Sequence, residues 1–348
     1  RRARSAPSVN HGRVRGLCQE MLHGGALQWR SMLTILAITF PFFALVLCGY
    51  LAVRRTLLPL AAIGGLNSFV LYFALPCMLY RFGAATPIAQ LLDASVFGVY
   101  LLCALIMVGV TMAMTLSHRI DWNNAAFGAL VAAFPNTGFM GVPLLLTLLG
   151  PRSSGPVIVT IVVDLLITSS LCIALSRIGS GGAHGSRTAV VNAMKGMVGN
   201  PMPWAIVLGA LTSWQALALP KPLMQTVGLL ADAASPVALF TIGAVLARSQ
   251  MSTSDPAPLG EYVPVALKKL LLHPLLVWGI GHAAIALGAP LEPFALTCMV
   301  LVACLPSASN VSLLSERFGA NTARIARIIL VSTALSFLTF SAAVSWLA

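Results

Sequence analysis

Apolar stretches of about twenty residues recur along the whole chain, and the few charged residues collect mainly in the short connections between them. A run of that length crosses the roughly 30 Å hydrocarbon core of a bilayer as an α-helix, because in lipid every backbone N–H and C=O must be paired within the segment. No stretch shows the alternating ten-residue pattern of a membrane β-barrel. The pattern predicts ten spans, at about residues 32–53, 66–85, 94–117, 124–149, 156–176, 198–218, 223–247, 264–288, 293–315 and 327–347. The longest connection contains RIGSGGAHGSR, a Gly/Ser-rich polar linker that parts the spans five and five. The expected organisation is a basic N-terminal extension (1–31), a five-helix unit (32–176), the linker (177–197) and a second five-helix unit (198–348).

The two units repeat one another. A shift of 160 residues lays Pro41 on Pro201 and Gly49 on Gly209 in the first span of each half. In the second span it lays Ala74 on Ala234, Pro76 on Pro236, Leu79 on Leu239 and Gly83 on Gly243. A shift of 171 lays Pro135 of the fourth span on Pro306 of the ninth. An odd number of spans per half inserts the second half upside down. The expected fold is therefore an all-α integral membrane protein of ten transmembrane helices, arranged as two inverted five-helix repeats.

The fourth span interrupts itself. AAFPNTGFMGVPLLL places two prolines, two glycines and an Asn-Thr pair inside a 28-residue uncharged run, Asn123 to Gly150. Proline lacks an N–H and clashes with the preceding turn, so the helix breaks there. Irregular backbone at this depth is tolerable only where it is buried in protein or lines a watery cavity. Broken helices from two inverted halves that meet near the midplane would present unpaired N–H groups and partial positive charge to a ligand. Pro135, Asn136, Thr137 and Gly138, with Pro306, Ser307, Ser309 and Asn310 of CLPSASNVSLL, are therefore the candidate substrate site. The alternative is a pair of packed proline kinks.

The stretches LNSFVLYFALPCMLYRFGA (66–84), FPNTGFMGVPLL and the C-terminal CLPSASNVSLLSERFGANTARIARIILVSTALSFLTF resemble, in that order, the bacterial auxin efflux carrier family, relatives of the plant PIN carriers. The resemblance runs from about Met32 to the end. It implies a ten-helix inverted-repeat fold similar to sodium/proton antiporters and bile acid symporters, with broken helices 4 and 9 crossing around an organic-anion site. It carries Pro135, Asn136 and Pro306 to that crossing, whereas Ser307 directly after the second proline, with Asn310 three residues on, departs from the pattern of the first half. The long central loop of many plant relatives is absent, so auxin is not the expected substrate. The implied substrates are malonate, malate and similar carboxylates, moved across a bacterial inner membrane.

Composition agrees: 58% hydrophobic and 9% charged residues, with a mean hydropathy of +0.91, exclude an ordinary soluble domain, which carries roughly 25% charged residues. Asp164 is the sole charge between Arg152 and Arg177, and Asp232 between Lys221 and Arg248, each near the centre of its span. An ionisable group at that depth is costly and usually functional, so both are candidates, of equal rank, for coupling to protons or sodium; a hydrogen-bonded structural Asp is the alternative. No cation is reliably placed in mid-membrane: Arg81 reads as an interfacial arginine, Lys268 and Lys269 as loop charges, and His273 and His282 as core or interface histidines. The seven cysteines show no metal or disulfide spacing.

Without a GxxxxGK[ST] phosphate loop, an HExxH or another nucleophile-base motif, the expectation is a secondary transporter and not an enzyme, with no catalytic residues, metal or cofactor. An anion channel or membrane sensor is the runner-up. Expected partners are a small carboxylate, the lipid bilayer and a second copy of the chain, with no nucleic acid. Beyond residue 31, twelve Lys and Arg lie in connections after odd-numbered spans against three (Arg81, Arg152 and Lys221) on the other side. That asymmetry puts the linker in the cytoplasm and both termini outside. The six arginines of the tail oppose it, and a translation start at Met32 would reconcile the two by making 1–31 a non-native or disordered extension. In a cysteine-free background, single cysteines introduced at 177–188 should resist a membrane-impermeant thiol reagent in intact cells, whereas Arg152→Cys should be labelled. The opposite pattern would reverse the orientation.

Overall fold

The computed structural model describes residues 37, 40–91, 93–177, 201–215, 217, 219–252 and 258–347; the basic tail and the linker beyond Arg177 lie outside them. Helices run over Phe40–Arg54 (α1), Ala62–Ala85 (α2), Ala94–Thr115 (α3), Trp122–Ala133 (α4), Thr137–Leu149 (α5), Pro151–Ser176 (α6), Pro201–Trp214 (α7), Lys221–Ser252 (α8), Leu259–Ala286 (α9), Pro293–Cys304 (α10), Asn310–Arg317 (α11) and Thr322–Leu347 (α12). Among the described residues there is no β-strand, only two isolated bridges. Among the described residues six helices are long and apolar enough to cross a membrane: α2, Ile88–Thr115 with α3 inside it, α6, α8 over Lys221–Arg248, α9 and α12. Each predicted segment holds helix, and the fourth and ninth are split, into α4/α5 and α10/α11.

Local chemistry sets several boundaries. The Asp93 carboxylate accepts from the N–H groups of Ser95 (2.9 Å) and Val96 (3.1 Å) to start α3, and Asp121 accepts from Asn124 N (2.9 Å) to start α4. Asn321 caps α12 in the same way through Arg324 N (2.9 Å), which starts that helix at Thr322, ahead of the predicted 327. The breaks follow from proline. Phe134 and Leu305, the residues before Pro135 and Pro306, are extended (φ −98°, ψ 101° and φ −64°, ψ 155°), because a following proline crowds the helical conformation.

The core is built around the broken helices. Every residue from Ala125 to Ala133 of α4 is buried, as is Cys298–Cys304 of α10. A helix apolar on all sides belongs in an interior, and the small side chains of AAFGALVAA let neighbours approach closely. Bulky apolar residues such as Leu51, Tyr72, Phe73, Leu229, Leu275 and Leu338 are exposed on the outside, as suits a surface solvated by lipid.

Four glycines mark two close helix crossings. A Cβ on Gly49 of α1 would run into the Phe240 carbonyl of α8, and one on Gly243 of α8 into the Val46 carbonyl of α1. Likewise Gly83 of α2 abuts the Ile206 carbonyl and Gly209 of α7, while Gly209 abuts the Tyr80 carbonyl of α2. The 160-residue shift exchanges these crossings, carrying the Gly49/Gly243 contact onto Gly209/Gly83. Replacing Gly243 by Val should cost about 1–3 kcal/mol or more by overpacking, read as a lower melting temperature of the purified protein. Gly109→Ala, which meets nothing within 4 Å, should leave that temperature unchanged or raise it.

Candidate functional site

The two breaks meet. Pro135 and Ser307 form an antiparallel bridge in which Asn136 N donates to Pro306 O (2.8 Å) and Ala308 N donates to Phe134 O (2.9 Å). The pairing lies one residue beyond the sequence repeat, which sets Pro135 against Pro306, although the preceding helices end in register, at Ala133 and Cys304. Asn136 makes an inverse γ-turn (φ −77°, ψ 53°) closed by Thr137 N to Pro135 O at 2.8 Å, and its carbonyl then accepts from Met140 N and Gly141 N as α5 opens with a π-turn. Opposite, Ser307 N donates to Ser332 Oγ of α12 (3.2 Å).

The N–H groups expected to be unpaired at the breaks are largely paired. The N–H groups immediately after each break are not open to a ligand, because at this depth a neighbouring carbonyl or hydroxyl is the only partner on hand. The first-turn N–H groups of Gly138 and Phe139, and of Ser309 and Asn310, are the ones left without a carbonyl of their own helix to reach.

All eight predicted crossover residues come together. Pro135, Asn136, Thr137, Pro306 and Ser307 are buried, and Gly138, Ser309 and Asn310 are half-buried. Three of their side-chain atoms, Thr137 Oγ1, Ser307 Oγ and Asn310 Oδ1, are buried without a partner. Asn136, Gly138 and Asn310 line a cavity of about 20 Å³, walled otherwise by apolar side chains including Leu75, Leu79, Ile161, Leu165 and Met202. That is room for about one water.

The two acids part company. Asp164 is fully buried on the π-turn Val163–Thr168 of α6, between the cavity-lining Ile161 and Leu165. Its carboxylate accepts from Tyr100 Oη (3.0 Å) and Thr168 Oγ1 (3.3 Å). Asp232 of α8 has a side chain 68% exposed and is ion-paired with Arg81 of α2 at 2.7 Å. The two acids thus differ in surroundings, and Arg81, expected as an interfacial arginine, is half of an ion pair between helices.

A buried cation, absent from the expectation, completes the picture. Lys269 is fully buried on the π-turn Lys268–Leu272 of α9, and its Nζ donates to Ala303 O (2.7 Å) and lies 3.0 Å from His273 Nδ1. Reading it as a loop charge overlooked the helical period: Val265, Lys269, His273 and Val277 fall four apart on one buried stripe, while Lys268 turns partly outward. Arg324, also assigned to a connection, is 2% exposed and holds the carbonyls of Glu261 and Asn124 at 2.9 Å. Tyr100 and Ser332 carried no sequence signal beyond a polar atom in an apolar run.

Comparison with known proteins settles the broad class. The model of the family described as "Membrane transport protein" matches residues 34–344. The chain belongs to that family. It is 30% identical over 314 residues, 88% of its length and 94% of the relative's, to the "Putative malonate transporter" of Rhizobium meliloti (strain 1021). It is 27% identical over 290 residues, 81% of its length and 88% of the relative's, to the "Uncharacterized transporter YfdV" of Escherichia coli (strain K12). "Auxin efflux carrier component 7" of Arabidopsis thaliana matches over 155 residues at 24% identity, 43% of this chain and 24% of that one. The resemblance to auxin efflux carriers therefore holds, and the protein is a membrane transporter, not an enzyme.

The unpartnered hydroxyl of Thr137 bears on stability in this transporter. A buried hydroxyl with no partner is destabilising, so Thr137→Val should leave the melting temperature unchanged or raise it. If the hydroxyl serves a ligand, the same change should weaken carboxylate binding roughly ten- to a hundredfold, the loss of one hydrogen bond to a charged group. Melting curves with and without malonate would report both.

Proposed function

We propose that this transporter is a secondary carrier that moves a small organic anion, a mono- or dicarboxylate such as malonate or malate, across the bacterial cytoplasmic membrane. The anion is held where the two broken helices cross. What carries this reading is the convergence of Thr137 Oγ1, Ser307 Oγ and Asn310 Oδ1, three buried polar atoms without partners, at one crossing. Hydroxyls can donate to a carboxylate, and an Asn can turn its NH₂ toward it. The first-turn N–H groups of α5 and α11 add partial positive charge from two directions. The similarity to a protein named for malonate supports the carboxylate class.

The architecture in this reading is a ten-helix inverted repeat. Its support is the exchange of the two glycine crossings by the 160-residue shift and the antiparallel pairing of the breaks, since a two-fold axis in the membrane plane requires both. Sidedness follows the charge asymmetry, with the linker cytoplasmic and both termini outside; removing the buried Lys269 and Arg324 from the count does not reverse it. A cavity with room for one water is too small for a dicarboxylate, so the walls from α2 and α7 must part from the crossing for substrate to enter. Of the two acids, Asp164 is the coupling residue in this reading, and Asp232 serves its pair with Arg81.

Labelled malonate in proteoliposomes should exchange with unlabelled malonate on the far side, whereas a channel would only dissipate the gradient. Asn136→Ala should weaken binding roughly ten- to a hundredfold, the value of a hydrogen bond to a charged group. Pro135→Ala and Pro306→Ala should reduce transport with folding retained, by letting the helices close across the breaks. Unchanged affinity in all three variants would leave the breaks as structural kinks.

A further inference from the structure

Two opposite charges are buried in the same interior with no ion pair between them. Asp164 and Lys269 are both fully buried, each on a π-turn, and their charges attract although no ion pair joins them. Lys269 instead spends its hydrogen bonds on His273 Nδ1 and Ala303 O. Ala303 stands three residues before Pro306, and its carbonyl, which an unbroken helix would offer to Ser307 N, is freed by the break. The ammonium thus occupies the negative end of α10 beside the crossing. His273 accepts at Nδ1, which puts its proton on Nε2, and Nε2 is buried with no partner. Its ring centroid is 6.0 Å from that of Tyr100, the residue bonded to Asp164.

We infer that Lys269 is the charge through which proton binding at Asp164 and anion binding at the crossing favour one another. The inference rests on the carboxylate site proposed above. With Asp164 ionised, ammonium and carboxylate offset each other, and an arriving anion meets a neutral surrounding. One proton added to Asp164 Oδ1 converts the carboxylate to the acid. Thr168 can absorb that change: its Oγ1 accepts the new O–H while its own hydrogen turns to Val163 O, already 3.4 Å away. The Tyr100 bond to Oδ2 stays in place. The Lys269 ammonium is then uncompensated in a low-dielectric interior, where an isolated charge is expensive, and an anion at the breaks relieves it.

The other titratable groups around the pair do not replace either member. Tyr100 and Cys103 come from α3, Cys172 from α6, His273 from α9 and Cys304 from α10. The described residues of α4 bring none to the pair, and Arg324 of α12 is engaged with backbone carbonyls. Thermodynamic reciprocity then requires that each bound anion draw in a proton and that affinity fall as pH rises.

The test is calorimetry of malonate binding to the purified full chain in detergent, in buffers of different ionisation enthalpy and across pH, corrected for malonate's own protons. Wild type should take up about one proton per malonate, and Kd should rise about tenfold per pH unit where that proton is being lost. Asp164→Asn, nearly isosteric and permanently neutral, should bind with the low-pH affinity at every pH and take up no proton. Lys269→Met should bind at least tenfold more weakly and without pH dependence. The proton count on wild type stands even if Lys269→Met does not fold. Binding by wild type without proton uptake, or pH dependence retained in Asp164→Asn, overturns the inference and leaves the site standing. Wild type that binds neither malonate nor the related monocarboxylates overturns the site and the inference together.

Discussion

Two backbone hydrogen bonds between the breaks, Asn136 N to Pro306 O and Ala308 N to Phe134 O, hold the centre of this protein together. Proline ends both helices in the interior, where no water can satisfy what is freed and each unpaired backbone group costs several kcal/mol. Each extended segment is the nearest partner for the other. Everything nearby inherits that pairing: where α5 and α11 begin, why Ser332 is needed opposite Ser307 N, and why the carbonyl of Ala303 is free to receive an ammonium. A break in one half alone would leave donors and acceptors stranded.

Satisfaction is incomplete in a patterned way. The N–H groups directly after each break are paired, whereas Thr137, Ser307 and Asn310 keep unpartnered side-chain atoms in the same place. Buried polar groups without partners lower stability, and a fold that needed only stability would replace Thr137 with Val at no loss of shape. All three of these atoms lie where the two breaks pair. Two further compromises lie close by, Asp164 and Lys269, each on a π-turn whose extra residue re-aims the side chain into the interior.

The two halves of the chain match in spacing and differ in chemistry. The glycine crossings exchange under a shift of 160 residues, and the helix ends at Ala133 and Cys304 match under a shift of 171. The buried carboxylate, however, stands on α6 in the first half and the buried ammonium on α9 in the second, which are not repeat-related positions.

Helix positions, the two breaks and the eight residues around them were readable from the chain alone, because each depends on local properties. An apolar run must pair its own backbone, a proline has no N–H to give, and a repeat shows itself by spacing. The environment of each charge was not readable. Asp164 and Asp232 look alike in sequence, yet one is enclosed by Tyr100 and Thr168 and the other is exposed and paired with Arg81 of a distant helix. Lys268 and Lys269 are neighbours in a basic pair, and only the packing of α9 against α10 turns one of them to a carbonyl 34 residues away. Burial and partnership of a charge are sums over several helices at once, so the tertiary structure alone decides which ionisable group is a surface anchor and which sits in the core.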